Sequence, residues 1–123
     1  MAKKILIVDD NDSNQLLMSD ILQYRGYEIL QAEDGEKGIS MAREFKPDLI
    51  LLDMQLPGID GFAAAKILKS DPLTKDIKVI AVTSLAMKGD RERIIALGVD
   101  DYIAKPIDTR QFPVLVEKYI GPA

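Results

Sequence analysis

The sequence predicts an α/β fold, a doubly wound parallel sheet with helices on both faces. Short apolar runs recur along the 123 residues, and none of the strongest alternates polar with apolar. Segments with helical spacing lie between those runs. No linker or low-complexity stretch interrupts the alternation. Continuous apolar runs suit strands covered on both faces, as in a parallel sheet. Strand and helix in turn, joined by right-handed crossovers, build an open sheet flanked by helices. The length suits one domain, residues 1–123, and is enough to bury a core without staples.

Each element has its own signal. Residues 5–8 (ILIV) read as the first strand. Leu16, Leu17, Asp20, Ile21 and Tyr24 follow a helical period after the cap candidates Asp12 and Ser13, and Gly26 ends that segment. Residues 28–31 alternate more and read as an edge strand. Residues 36–45 form a second helix with Ile39, Ala42 and Phe45 inward. Residues 49–52 (LILL) are the next strand. Residues 61–69 are a third helix, stopped by Ser70, Asp71 and Pro72. Residues 79–82 (VIAV) are a strand, and 90–97 a helix closed by Gly98. Residues 102–104 are the last strand. The last helix is expected over 108–119, with Asp108 as N-cap and Gln111 at the capping-box position. Pro113 falls inside it, so this helix starts later or bends.

Composition removes whole classes of chemistry. The chain has no cysteine and no histidine. Disulfides, thiolate sites, imidazole zinc sites and His-based triads are therefore impossible. Any metal is held by oxygen, which favours magnesium, manganese or calcium. The formal net charge of -4 argues against a nucleic-acid surface. The apolar run after Lys3 and Lys4 stops at Asp9, too short for a signal peptide or a membrane span. A cytoplasmic location is expected.

The residues just past each run form a pattern. The first strand ends in Asp9 and Asp10, the third in Asp53, the fourth in Thr83 and Ser84, the fifth in Lys105 and Pro106. Singly, the acids read as turn residues, the hydroxyls as helix caps, and Lys105 as a surface lysine. In a parallel sheet, all of them emerge on one edge, where ligands gather. Clustered carboxylates call for a cation. Magnesium takes one or two of them and completes its shell with water and a phosphoryl oxygen. A hydroxyl and an ammonium suit the other phosphoryl oxygens. No P-loop and no Gly-x-Gly-x-x-Gly motif is present. Asp9, Asp10 and Asp12 would repel the phosphate of a mononucleotide. The remaining option is a covalent aspartyl phosphate, with Asp53 on the central strand as the candidate.

These residues resemble the receiver domain of two-component response regulators over essentially the whole chain. "ILIVDDND" is similar to that family's first strand and acidic pair, and "PDLILLDMQLPGIDG" to its phosphoacceptor strand and loop. "VIAVTS" is similar to its hydroxyl-bearing strand, and "DDYIAKPID" to its lysine–proline strand end. The resemblance implies a flavodoxin-like, five-stranded sheet of order 2-1-3-4-5. It implies that Asp53 accepts a phosphoryl group from a sensor histidine kinase or histidine phosphotransfer protein. It implies Mg2+, with Mn2+ as a substitute, on Asp9, Asp10, Asp53 and the backbone carbonyl of Gln55, with Asp9 acting mainly through water. Thr83 and Lys105 would bind the phosphoryl group, Lys105 pairing with Asp53 beforehand. The Lys105–Pro106 peptide would be cis. Tyr102 would be the switch aromatic; its plainer reading is a half-buried strand aromatic. Gln55 and Leu85 would tune the phosphoryl lifetime. Phosphorylation would change how the face made by the fourth helix, fifth strand and fifth helix binds a downstream protein.

The "AMKGDRER" run resembles stand-alone receivers of cell-cycle or developmental pathways, and a charged, solvated helix explains it equally well. A stand-alone regulator of the chemotaxis or cell-cycle kind is expected. An aspartate-nucleophile phosphatase is the enzymatic rival. Such an enzyme needs an acid two residues after the nucleophile, where this chain has Gln55. The expectation is a non-enzyme, with no nucleic-acid binding and no membrane insertion.

Overall fold

Residues that are β-branched or leucine throughout can be buried on both faces, and the runs at 5–8 and 49–52 are buried at every position. The computed structural model describes residues 2–84 and 88–123. In chain order the elements are β1 (Lys4–Val8), α1 (Asp12–Tyr24), β2 (Glu28–Ala32), α2 (Gly35–Phe45) and β3 (Leu49–Asp53). They continue with α3 (Gly61–Ser70), β4 (Lys78–Thr83), α4 (Lys88–Ala96), β5 (Asp101–Ala104) and α5 (Gln111–Ile120). The strands form one five-stranded sheet of order β2-β1-β3-β4-β5. Every neighbouring pair is parallel. β2 lies at an edge, as its alternating sequence predicts.

The period of two along each strand divides the core. Leu6, Val8, Ile50, Leu52, Val79 and Ala81 face α2, α3 and α4, which contribute Ile39, Ala42, Ala64, Ala65, Leu68 and Ile94. Ile5, Ile7, Leu49, Leu51, Ile80 and Val82 face α1 and α5, which contribute Met18, Leu22, Phe112 and Val116. Fully burying one such large apolar side chain contributes about 1.5–3 kcal/mol. The central strands are therefore the most firmly held part of the chain.

α1 buries a face that overlaps only partly with the apolar period read from its sequence. Gln15, Met18, Ser19 and Leu22 point inward. Leu16 is 62% exposed and Tyr24 91%. The inward stripe includes two polar residues with fixed partners: Gln15 bonds backbone carbonyls, and Ser19 Oγ accepts from Gln31 Nε2 at 2.7 Å. Apolar periodicity alone therefore misses two of the four buried positions. The N-cap is Asn11, whose side chain accepts from the Asn14 N–H, in place of Asp12 or Ser13. Ile39 and Ala42 of α2 are buried as expected, while Phe45 is 41% exposed.

Regular α5 starts at Gln111, later than residue 108. Asp108 still organises the turn before it, accepting from the Arg110 and Gln111 N–H groups at 2.9 and 3.2 Å. Pro113 thereby falls in the first turn, where a missing N–H removes no intrahelical bond.

Candidate functional site

The register brings the polar strand ends to one edge. Val8 pairs with Leu52, Asp53 with Val82, and Thr83 with Ala104. Asp9 therefore leaves β1 beside Asp53, the last residue of β3. Asp10 follows it into the loop. Lys105 leaves β5 beside Thr83, and its N–H donates to the Thr83 carbonyl at 2.8 Å. The Lys105–Pro106 peptide is cis.

Side chains complete the cluster. Carboxylate oxygens of Asp9, Asp10 and Asp53 lie within 4.8 Å of one another. Asp9 and Asp53 are 1% and 2% exposed, whereas Asp10 is exposed. The Lys105 ammonium lies 3.2 Å from Asp53 Oδ2 and 3.5 Å from Asp9 Oδ2. Asp53 Oδ1 accepts from the Gln55 N–H at 2.9 Å, and Asp9 Oδ1 from the Asn11 N–H at 2.8 Å. Asp9 Oδ2 is buried and accepts no hydrogen bond.

Burial pushes the Asp53 carboxyl above the ordinary carboxylate range, and the Asp9 charge adds to the rise. The Gln55 N–H and the Lys105 ammonium pull it the other way. Among the described residues, a single ammonium thus faces two buried carboxylates with a third nearby, leaving local negative charge in excess. Hard divalent cations take such all-oxygen donor sets. The underused Asp9 Oδ2 fits the same requirement, so these residues suit Mg2+.

Thr83 is fully buried at the end of β4. Tyr102 is half-buried on β5, with the Arg91 guanidinium 5.3 Å from its ring centroid. The Gln55 side chain crosses from the β3–α3 loop to the end of β4. Its Oε1 accepts from the Ser84 hydroxyl and, at 3.4 Å, from the Ser84 N–H. Leu85 lies outside the described residues, as do the first two residues of the "AMKGDRER" run. The structure thus brings Asp9, Asp10, Asp53, Thr83 and Lys105 to one edge, with Gln55 bridging its mouth.

Two contributors escape a reading of strand ends. Asn11 supplies the N–H that holds Asp9 Oδ1. Gln15, on α1, reaches back to the carbonyl of Asp9. Gln15 carried one available signal: with Met18, Ser19 and Leu22 it follows the i, i+3, i+4, i+7 spacing of a helical face.

A parallel sheet of this order, with acids, a hydroxyl and a lysine on its carboxyl edge, defines a class of signalling domain. The chain belongs to the response regulator receiver domain family, whose family model matches residues 5–117. It is 44% identical over 123 residues to the polar-differentiation response regulator DivK of Brucella anthropi, covering 100% of both chains. The DivK protein of Brucella ovis is equally similar, at 44% over 100% of both. Among solved structures, it resembles the receiver domain of a sensor histidine kinase from Pseudomonas aeruginosa, crystallised with magnesium ion coordinated in its active-site cleft. That match has 31% identity and a TM-score of 0.90, covering 98% of this chain and 99% of that one. A CheY-like receiver domain protein from Methanospirillum hungatei matches at 28% identity and a TM-score of 0.88, with 98% and 94% covered. Among the described residues, no helix is long and apolar enough to cross a membrane.

Proposed function

We propose that the chain is a phosphorylation-switched receiver that takes a phosphoryl group onto Asp53 from a phosphohistidine of a sensor kinase or phosphotransfer protein. The observation that carries this reading is the setting of Asp53. It is 2% exposed at the end of a central strand, within 3.2 Å of Lys105 and in a cluster of three carboxylates. A rigid strand holds the nucleophile in position, which removes orientational freedom that transfer would otherwise have to freeze. An Asp53 oxygen attacks phosphorus, a P–O bond forms and the P–N bond breaks. The electron pair stays on the imidazole nitrogen, which leaves as neutral imidazole when its other nitrogen carries a proton.

Asp9, Asp10, Asp53 and the backbone carbonyl of Gln55 would hold Mg2+, which supplies charge neutralisation at the phosphoryl oxygens. Lys105 restrains Asp53 in the resting state and pairs with a phosphoryl oxygen afterwards. The Thr83 hydroxyl donates to another. Movement of Thr83 makes room for Tyr102, whose ring sits between β5 and Arg91. The α4-β5-α5 surface then presents a different face to a downstream protein. An apolar-lined cleft on that surface, bordered by Tyr102, Ala104, Phe112 and Leu115, supports this part of the reading. The protein acts as acceptor and switch and is not a turnover enzyme. Gln55 sets the phosphoryl lifetime by covering the mouth of the site through Ser84. Similarity to regulators named for polar differentiation favours a role in a developmental pathway.

Incubation with Mg2+ and acetyl phosphate, followed by intact mass measurement, tests the acceptor. A phosphoryl adduct is expected in the native chain and is absent from Asp53→Asn. An adduct that survives this substitution would refute the assignment.

A further inference from the structure

Gln15 is a buried polar side chain next to the site that the receiver reading leaves without a task. It is 8% exposed on the inward face of α1. Its Nε2 lies within hydrogen-bonding distance of the carbonyls of Ile7, Asp9 and Ala32, at 3.0, 3.1 and 2.9 Å, so its two N–H groups are shared among three acceptors. Its Oε1 is buried and accepts no hydrogen bond. Leaving an acceptor unsatisfied inside a protein is unfavourable, and an apolar side chain of equal size would avoid it. The amide is therefore placed for its donor end.

The three carbonyls show what that donor does. The ladder between β1 and β2 closes at Val8 and Ala32, with one further bond from the Asp9 N–H to the Ala32 carbonyl at 3.0 Å. Past that point the chain turns from sheet to loop, and the Asp9 carbonyl lies beyond the ladder. Gln15 takes this carbonyl while also holding the Ile7 carbonyl near the end of β1 and the last carbonyl of β2, that of Ala32. Asp9 is thus restrained through its N–H, through its carbonyl, and through Oδ1, which accepts from the Asn11 N–H at 2.8 Å. Of its polar atoms, only Oδ2 has no hydrogen bond, and it faces Lys105 at 3.5 Å.

We infer that Gln15 is a positioning residue for the metal site: by anchoring the Asp9 carbonyl it sets the direction of the Asp9 and Asp10 carboxylates toward Asp53. The inference rests on the metal-assisted receiver reading above. Groups that orient metal ligands from outside the ligand set typically change metal affinity by about 10–100-fold when removed. The effect belongs to metal affinity and leaves the phosphoacceptor itself intact.

Calorimetric titration with Mg2+ tests it on the full chain, using Gln15→Leu and the more flexible Gln15→Met. A third variant, Thr74→Val, is the control. Thr74 is fully buried in the connection between α3 and β4, before β4 begins, and donates to the Leu68 carbonyl at 2.7 Å. Both Gln15 variants are expected to bind Mg2+ about 10-fold more weakly than the native chain. Their labelling by acetyl phosphate should need correspondingly more Mg2+ for half-maximal rate and reach a near-native maximum at saturation. Thr74→Val is expected to lose thermal stability with unchanged Mg2+ affinity. Native affinity in a folded Gln15 variant would overturn the inference. So would an equal loss of affinity in Thr74→Val, which would reduce the effect to general destabilisation. A native chain that binds no Mg2+ at all would instead remove the metal reading, and this inference with it.

Discussion

An alanine at Gly61 would place its methyl group 2.3 Å from Met54 Cα and 2.4 Å from the Asp53 carbonyl oxygen. Carbon atoms pack at about 3.5–4.0 Å, so the first contact falls short by at least about 1.2 Å. Both obstacles are backbone, and no rotamer change relieves them. The start of α3 or the end of β3 must move. Overpacking of this kind costs about 1–3 kcal/mol, and the rigid neighbours put Gly61→Ala at the upper end. Alanine's better helix propensity returns less than about 1 kcal/mol. A net loss of about 2 kcal/mol in a chain of this length lowers the unfolding midpoint by roughly 8 °C. Two glycines without such neighbours calibrate the result, since an added methyl at Gly58 or Gly89 meets nothing within 4 Å among the described residues. Gly89 lies in the first turn of α4, so Gly89→Ala is expected to stabilise by up to about 0.5 kcal/mol, less than in a helix interior. Gly58 has φ +70, so Gly58→Ala is expected to cost about 1–2 kcal/mol from backbone strain alone. Thermal and urea unfolding followed by far-UV circular dichroism gives the order Gly89→Ala, native, Gly58→Ala, Gly61→Ala. Because Gly61 touches the backbone that leads to Gln55, its variant should also bind Mg2+ more weakly. A Gly61→Ala midpoint equal to the native one would refute the claim that this contact holds the end of β3 in place.

Lys105→Met leaves Asp9 and Asp53 buried without their counter-charge. Removing one partner of a buried pair typically costs on the order of 3 kcal/mol, and added Mg2+ should recover part of it; urea unfolding with and without Mg2+ measures both, and a variant as stable as the native chain contradicts the pairing. Tyr119 donates to Asp101 Oδ2 at 2.7 Å, and that bond, with burial and the charges of Asp101 and Asp100, pushes the phenol up to about 12. The unfolded chain ionises this group near its ordinary value of 10.0. The stabilisation is therefore fully present below pH 10 and is lost as pH rises toward 12. Tyr119→Phe should lose less stability across that interval than the native chain, and parallel pH profiles for the two would count against the bond.

The strands, their order of appearance and most of the site were legible because each depends on local pattern. A run such as Leu49 to Leu52 tolerates burial on both faces wherever it is placed, and a polar residue after it must lie at a sheet edge. Once the strands are parallel, Asp9, Asp53, Thr83 and Lys105 have to share that edge. The inward face of α1 was not legible from apolar residues alone, because polar atoms take part in filling it. Gln15 and Ser19 are buried by specific bonds to residues brought near only by the sheet, while Leu16 is left in solvent. Nor does sequence spacing reveal that the Lys105 ammonium spans two carboxylates, or that Gln55 and Ser84 meet across the mouth. Those contacts join residues far apart in the chain. Local propensity decides which segments are strands and helices; only the register of the assembled sheet decides which side chains can reach one another.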